Sequence, residues 1–432
     1  MLERWFGIRS AGSTLPREVI GGVTTFLTMV YIVVVNPAIL ESAGIPRGAS
    51  MTATVLTAAI GTLAMGIFAN RPFAIAPYMG ENAFVAFTVV KVLGFSWQTA
   101  LAGVFLGGVL FTLLTLSGLR KAMAEAIPAS LKAAFTAGIG LFLAFIGLHE
   151  TGIVALGTLG APVRLGDLSR PEVLVAIGTF LAMGALQIRR VPGALLWGIL
   201  LGTGVAMALG VAPLPDRVVG LPPSPAPILL QMDFRGALSV GFLNVLLVMF
   251  VMDFVDTLGT LLGVSDRAGL LDAQGNLPGI ERPMLVDALS TVLAACLGTT
   301  TAGAYIESAA GVEAGARTGL ASVVTGSLFL LALFLAPLFT AVPAAAYGPV
   351  LVLVGLAMTS SLARIPFARL EESLPALVVV GLMSFTYNLG VGMAAGFVLA
   401  PLCRVIAGRG REVRPGMWML FALSLALFAF FP

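Results

Sequence analysis

Two aspartates stand three residues apart inside an apolar run. The stretch MFVMDFVDTLGTLLG, Met249–Gly263, carries Asp253 and Asp256, and Thr257 and Thr260 follow them. Positions i, i+3, i+4 and i+7 share one helical face, so all four side chains look the same way. No basic residue lies within ten positions of either aspartate. Ionisable groups at membrane depth are costly unless they face protein or water, which makes them functional by default. Two carboxylates this close do not both ionise easily in a low dielectric, and that suits a proton carrier. The plainer alternative is a carboxylate satisfying the backbone donors of a broken helix.

Three further polar residues sit in apolar surroundings: Glu81, Asn82 and Glu307. Glu307 lies just past Gly303, where a helix would begin and leave free N–H groups at its positive end. Asn82 occupies the matching zone of an earlier segment and offers both a donor and an acceptor. Either residue could instead cap its own helix. Phe73, Tyr78, Phe84 and Tyr305 flank these positions and could stack on a flat ring, although most aromatics in a bundle are packing. Asp253, Asp256 and Glu307 are the candidates for moving a proton. Lys91 lies nearer a segment end and is expected to snorkel to the surface.

The elements that must position these groups are membrane spans. The chain has 432 residues, is 58% hydrophobic and only 10% charged. Soluble domains are about a quarter charged. Apolar runs recur at 18–42, 51–70, 73–92, 97–118, 127–148, 172–188, 191–211, 236–264, 284–298, 300–314, 318–338, 345–362, 370–388 and 389–408, with a last apolar piece at 416–431. That pattern predicts a polytopic, all-α membrane protein of about 14 transmembrane segments. Crossing by crossing, most Lys and Arg fall on the side of the N-terminus. Only Arg47, Lys91, Arg164, Arg170, Arg217 and Arg235 fall near the other side. The positive-inside rule then puts the N-terminus in the cytoplasm. The opening residues lack the apolar core of a cleavable signal.

Two spans are too short and broken to be ordinary helices: RPFAIAPYMGENAFVAF (Arg71–Phe87) and LGTTTAGAYIESAAG (Leu297–Gly311). Each passes a breaker, Pro77 or Gly303, before its helix formers. Aligning Pro77 on Gly303 puts Glu81 over Glu307 and Asn82 over Ser308. Each is the third span of a seven-span half, and interrupted segments at matching positions point to a transporter binding site. Because seven is odd, the second half is expected to be inverted.

Other chemistry is poorly served. Cys296 and Cys403 fall in apolar segments, so no disulfide framework is expected. A single histidine, His149, cannot build a metal cluster, and no metal or cofactor is expected. The DAQGN of residues 272–276 lacks the length and terminal Glu of a calcium loop. There is no P-loop, dinucleotide fingerprint or Ser/His/Asp set, so transport is driven by a gradient or facilitated. A channel is one rival reading. An intramembrane aspartyl protease is another, but its dyad needs two opposed segments, and here both aspartates share one helix.

Several stretches resemble the nucleobase:cation symporter (nucleobase–ascorbate transporter) superfamily, in its AzgA-like hypoxanthine/guanine/adenine permease branch. They are REVIGGVTTFLTMVYIVVVNPAIL (Arg17–Leu40), APYMGENAF (Ala76–Phe84), DFVDTLGTLLGV (Asp253–Val264), AGLLDAQGNLP (Ala268–Pro278) and YIESAAGVEAGARTGL (Tyr305–Leu320). The resemblance implies two inverted seven-span repeats, with short strands in spans 3 and 10. It implies a core built from 18–120 and 236–338 and a gate built from 121–212 and 339–408. Residues 1–17 would be a cytoplasmic N-terminus, and 409–432 a basic loop with an apolar tail. It also implies proton-coupled purine uptake by an elevator-like movement in the inner membrane. It allows a homodimer and gives no role to nucleic acid. The functional positions of the family fall on Asn82, Asp253, Asp256 and Glu307. Gly80, Tyr305 and Ser308 complete the expected substrate-binding set, and Tyr78, Glu81, Phe84 and Thr260 are further pocket candidates. The chain departs from the family in two places: Tyr78 stands where the branch usually has Gly, and Glu81 where an apolar residue is more usual. By likeness to the uracil and xanthine relatives Asp256 would anchor the substrate, and a same-fold carrier of uracil, xanthine or a small anion is the rival within this class.

Overall fold

A computed structural model describes residues 2–117, 127–158, 161–215, 217–271 and 277–430. Residues 272–276, with their DAQGN, lie outside the described residues, as do Arg120 and Lys121. Among the described residues nine helices are long and apolar enough to cross a membrane. The other crossings are shorter or interrupted. Apolar side chains face outward where lipid would be: on span 6 (Pro171–Ile188), Leu174, Leu181 and Ile188, seven residues apart, are all exposed.

The helices pack in two groups. Span 2 (Arg47–Ile67), span 9 (Glu281–Leu297), span 4 (Trp97–Ser117) and span 11 (from Gly319) pack on one another and on the first half of span 1 (Leu15–Met29). Span 8 (Leu243–Arg267) joins them through span 4. In the other group, span 5 (Ala129–Glu150) packs on span 12 (Ala344–Thr359) and span 13 (Leu370–Phe385). Spans 6 and 7 (Ala194–Ala208) lie against span 12, and span 14 (Leu389–Ile406) lies against span 13. A last helix, Pro415–Phe430, packs on span 14.

Small residues set how closely the second group packs. A Cβ on Gly140 would stand 2.5 Å from the Gly355 carbonyl oxygen, and one on Gly147 would stand 2.7 Å from that of Gly348. Both helices repeat the glycine after seven residues, so spans 5 and 12 meet backbone to backbone. Gly355→Val should force them apart at a cost of roughly 1–3 kcal/mol or more. A clear drop in melting temperature of the detergent-purified protein is the expected result, and an unchanged melt would show the contact to be dispensable.

Spans 3 and 10 are not continuous helices. Span 3 runs as strand β1 (Ile75–Pro77), a short helix (Met79–Ala83) and a π-helix (Phe84–Val92). A second hairpin, β2 (Val154–Thr158) with β3 (Ala161–Leu165), fills the connection after span 5, where the sequence pattern alone suggests a loop. Span 10 runs as β4 (Ala302–Ala304) and a helix Ser308–Glu313. β1 and β4 pair antiparallel, with Ile75 opposite Ala304, Ala76 opposite Gly303 and Pro77 opposite Ala302. Pairs this short leave backbone groups over, and away from water these must find partners. Thr62 Oγ1 accepts from Ile75 N (2.9 Å) and donates to Ile75 O (3.1 Å). Thr291 Oγ1 does the same for Ala302, at 3.2 and 3.0 Å. Tyr78 N donates to Thr301 O, and Tyr305 N to Ala74 O, both at 2.9 Å.

These matched bonds correct the alignment read from the sequence by one residue. Ile75 corresponds to Ala302, Ala76 to Gly303 and Tyr78 to Tyr305. Gly80 therefore corresponds to Glu307, and Glu81 to Ser308. The breakers Pro77 and Gly303 mislead because they are not equivalent: Gly303 sits at the centre of the crossing, where a Cβ would collide with Tyr78 Oη.

A second device also occurs in both halves. The buried Glu18, at the start of span 1, accepts from the N–H groups of Arg317 (3.0 Å) and Thr318 (3.2 Å) and so caps span 11. Asp233, ahead of span 8, accepts from Gly236 N and Arg235 N and from the hydroxyl of Thr99 in span 4 (3.0 Å). Those bonds, the Gly236 N–H first, hold the Asp233 carboxyl below its usual range.

Candidate functional site

The two short strands bring their following residues together at the middle of the molecule. Tyr78 and Tyr305 lie with ring planes 7° apart and centroids 6.1 Å apart. Tyr305 donates its hydroxyl to Pro77 O at 2.5 Å. Tyr78 bonds the Thr257 hydroxyl (3.3 Å), which donates to Asp287 Oδ2 at 2.7 Å. Asp287 Oδ1 accepts from Ala304 N at 2.8 Å. One carboxylate on span 9 thus ties span 8 to the strand of span 10.

Glu307 precedes the short helix of span 10 and does not cap it. Instead its Oε1 accepts the Tyr31 hydroxyl at 2.5 Å. Tyr31 sits where span 1 breaks between Leu15–Met29 and Ile32–Glu41. Glu307 is half-buried, with the exposed Ile306 beside it, so its second oxygen can meet a ligand. Asn82 is fully buried and lies inside the helix Met79–Ala83 rather than at its cap. Its amide donates to Asn36 Oδ1 (2.7 Å), and Asn36 in turn donates to Thr54 and Thr299. The Oδ1 of Asn82 has no hydrogen-bond partner among the described residues.

On span 8, Asp253 and Thr257 are buried, and Asp256 and Thr260 are half-buried, so the shared face does turn inward. Asp256 and Asp253 lie within electrostatic reach of Glu81, with Asp287 next. Tyr305 lies within reach of Glu307, Glu81 and Asp256. Gly80 faces span 5, where a Cβ would stand 2.7 Å from Ile139 Cγ2. Ser308 is buried, and its Oγ accepts from Ala74 N (2.9 Å), so it braces the strand crossing. Phe84 is buried in the core of the bundle, and Phe73 in a second apolar cluster.

The structure therefore gathers Tyr78, Glu81, Asp253, Asp256, Tyr305 and Glu307 around one crossing. Among the described residues no group of three or more His, Cys, Asp or Glu has metal-binding geometry. The sequence reading missed Tyr31, Asn36 and Asp287. Asp287, inside MLVDALSTVLAACL, meets the same test as the other intramembrane carboxylates, and only its place near a span end hides it. Asn36 precedes Pro37 within an apolar helix, which is a readable signal too.

The profile of the xanthine–uracil permeases, a permease family, matches residues 16–398. The chain belongs to this family. The permease is 40% identical to the guanine/hypoxanthine permease PbuG of Bacillus subtilis over 99% of its own length and 100% of that protein. It is likewise 40% identical to the adenine permease AdeP of Escherichia coli, over 96% and 93% of the two chains. In fold it is similar to the transmembrane domain of the cyanobacterial bicarbonate transporter BicA, with a TM-score of 0.65 at 18% identity, covering 88% of this chain and 97% of that one. Murine Slc26a9, an anion transporter in the inward-facing state, is similar with a TM-score of 0.63 at 11% identity, over 91% and 69%. The permease thus shares the fold expected from its sequence and is a membrane transporter rather than an enzyme.

Proposed function

We propose that the permease imports purine nucleobases together with protons across the cytoplasmic membrane, N-terminus inside. The observation that carries this reading is the acidic, hydroxyl-lined site at the crossing of spans 3 and 10, in a chain similar to adenine and guanine/hypoxanthine permeases. A purine is a flat ring with apolar faces and an edge of N–H donors and acceptors. Glu307 and Asp256 offer acceptors for ring N–H groups, and the free Oδ1 of Asn82 offers another. Tyr78 and Tyr305 supply aromatic surface beside them. A base lacking one of the matched groups would leave a buried acceptor unpaired, which is the physical source of selectivity.

The reading takes 18–120 and 236–338 as the moving core and 121–212 and 339–408 as the gate, with sliding between them as the transport step. The tight packing of spans 5 and 12 supports a rigid gate. Arg47, at the start of span 2, donates to Val342 O (2.8 Å) and lies over the Tyr347 ring of span 12 at 5.8 Å, so core and gate also touch at that end. A homodimer through the gate is part of the reading.

The same-fold rival, a small-anion carrier, has BicA and Slc26a9 behind it as relatives in fold. The ionisable groups gathered at the site are carboxylates, with no Lys or Arg among them in the described residues, and carboxylates disfavour an anion. Binding of labelled adenine, guanine, hypoxanthine, xanthine, uracil and bicarbonate to the purified protein, at mildly acidic and mildly basic pH, separates the readings. Purine binding that depends on pH is expected. Binding of bicarbonate alone would overturn the proposal.

A further inference from the structure

Glu81 is the acid at the crossing whose place the site's other residues leave unexplained. It is 1% exposed, and neither carboxylate oxygen has a hydrogen-bond partner among the described residues. The other acids at the crossing each have a hydrogen bond, some exposure or another interaction. Glu307 accepts from Tyr31, Asp287 from Thr257 and Ala304, and Asp256 is half-buried. Asp253 engages in interactions of its own.

The nearest donor is the backbone N–H of Glu81 itself, in the first turn of the helix Met79–Ala83. With no cation beside it, one such group does not offset the desolvation of a buried carboxylate, and taking up a proton costs less. The surroundings deepen this. The charged groups facing Glu81 are all acidic: Asp256 and Asp253 on span 8 and Asp287 on span 9. The neighbouring helix Ile32–Glu41 carries only Glu41 at its far end, beside Arg47. Span 5 carries Lys132, His149 and Glu150 at its two ends. On its own segment Lys91 lies ten residues on, exposed, with Nζ 5.5 Å from the Phe87 ring centroid. None of the ion pairs among the described residues reaches Glu81.

The turn that carries Glu81 also packs against the other helix group. Its neighbour Gly80 packs on Ile139 of span 5, so closely that a single methyl there would collide. We propose that Glu81 is a proton-carrying carboxyl of this permease, held neutral while span 5 covers the turn and released to water when spans 3 and 5 part. The carboxylate takes its proton from the outer water, the neutral carboxyl rides inward with the core while span 5 covers the turn, and the proton leaves to cytoplasmic water when the turn opens there. The emptied core returns with the turn uncovered and Glu81 ionised, so the next proton again comes from outside and one proton crosses per cycle. This rests on the reading of the chain as a purine importer coupled to protons, and it adds to Asp253, Asp256 and Glu307 a residue with no hydrogen-bond partner of its own among the described residues.

Two measurements test it. Infrared spectra of the detergent-purified protein at neutral pH should contain the C=O stretch of a protonated carboxyl that Glu81→Gln removes; an unchanged band overturns the proposal. In proteoliposomes, an acid-outside gradient of one pH unit coupled to one proton supports about tenfold accumulation of a base. Glu81→Gln and Glu81→Leu should bring that ratio to about one, and Glu81→Asp should restore part of it. A gradient response in Glu81→Gln equal to that of the wild type overturns the proposal, whatever the spectra show. Absence of uptake of every purine by the wild type, with the band still lost in Glu81→Gln, supports the proton on Glu81 and removes the purine reading instead.

Discussion

Glu307→Gln is expected to abolish uptake of labelled hypoxanthine while the amount of protein in the membrane stays the same. The reason lies in what each oxygen does. Oε1 is taken by the Tyr31 hydroxyl, which comes from the break in span 1. That leaves the second oxygen as acceptor for a purine N–H. A hydrogen bond to a charged group contributes about 1.5–3 kcal/mol, and an amide that turns its NH2 toward a ring N–H adds a donor–donor clash. A loss of roughly a hundredfold or more in uptake follows, since each 1.4 kcal/mol is tenfold. Tyr31→Phe should do less, about tenfold, because the carboxylate keeps its acceptors and loses only its orientation. The two changes should not add: once Glu307 is replaced by Gln, removing the Tyr31 hydroxyl should cost little more. Near-normal uptake by Glu307→Gln would remove Glu307 from the site, and full additivity would break the link to Tyr31.

The parts of this arrangement that were legible in the sequence are those where a polar group contradicts its surroundings. Asp253, Asp256, Glu81 and Glu307 stand out because a carboxylate in an apolar run has few tolerable explanations. The breaks in spans 3 and 10 were legible because Pro77 and Gly303 interrupt segments already too short to cross as ordinary helices. The register between the halves was not. It depends on which residues lie at the crossing, and that is fixed by Thr62 and Thr291 gripping Ile75 and Ala302 from other helices. A threonine inside an apolar helix is ordinary, so nothing local marks those two. Tyr31 reaches Glu307 across 276 positions of sequence and Asn36 reaches Asn82 across 46, and such pairings are visible only in three dimensions. The hairpin after span 5 escapes notice for a different reason. Its strands are five residues each and contain Gly157 and Pro162, which weaken any alternation signal.

Asp287→Ala should cost the permease more of its stability than any other single change at the site. Asp287 is fully buried, and both oxygens are used: Oδ2 holds the Thr257 hydroxyl of span 8, and Oδ1 holds the N–H of Ala304. That N–H belongs to the three-residue strand that crosses β1, so the carboxylate fixes the position of the strand that carries Tyr305 and Glu307 onward. Alanine would strand a backbone N–H and a hydroxyl in a site without bulk water, at about 1–3 kcal/mol for each unsatisfied group. The expected result is a fall of the melting temperature in detergent and a loss of uptake together. Asp287→Asn separates the two. Its carbonyl oxygen can still accept from Ala304 N, while its NH2 meets the Thr257 hydroxyl, whose oxygen can accept. The fold should therefore largely survive. In that variant Thr257 has to turn its proton away from the new amide and toward Tyr78, 3.3 Å away, which fixes the direction of the bond between those two hydroxyls. Stability near wild type with an altered ranking among adenine, guanine and hypoxanthine would place Asp287 behind the site as its support. Equal loss of stability in both variants would mean that the charge itself, and not its geometry, holds the crossing together.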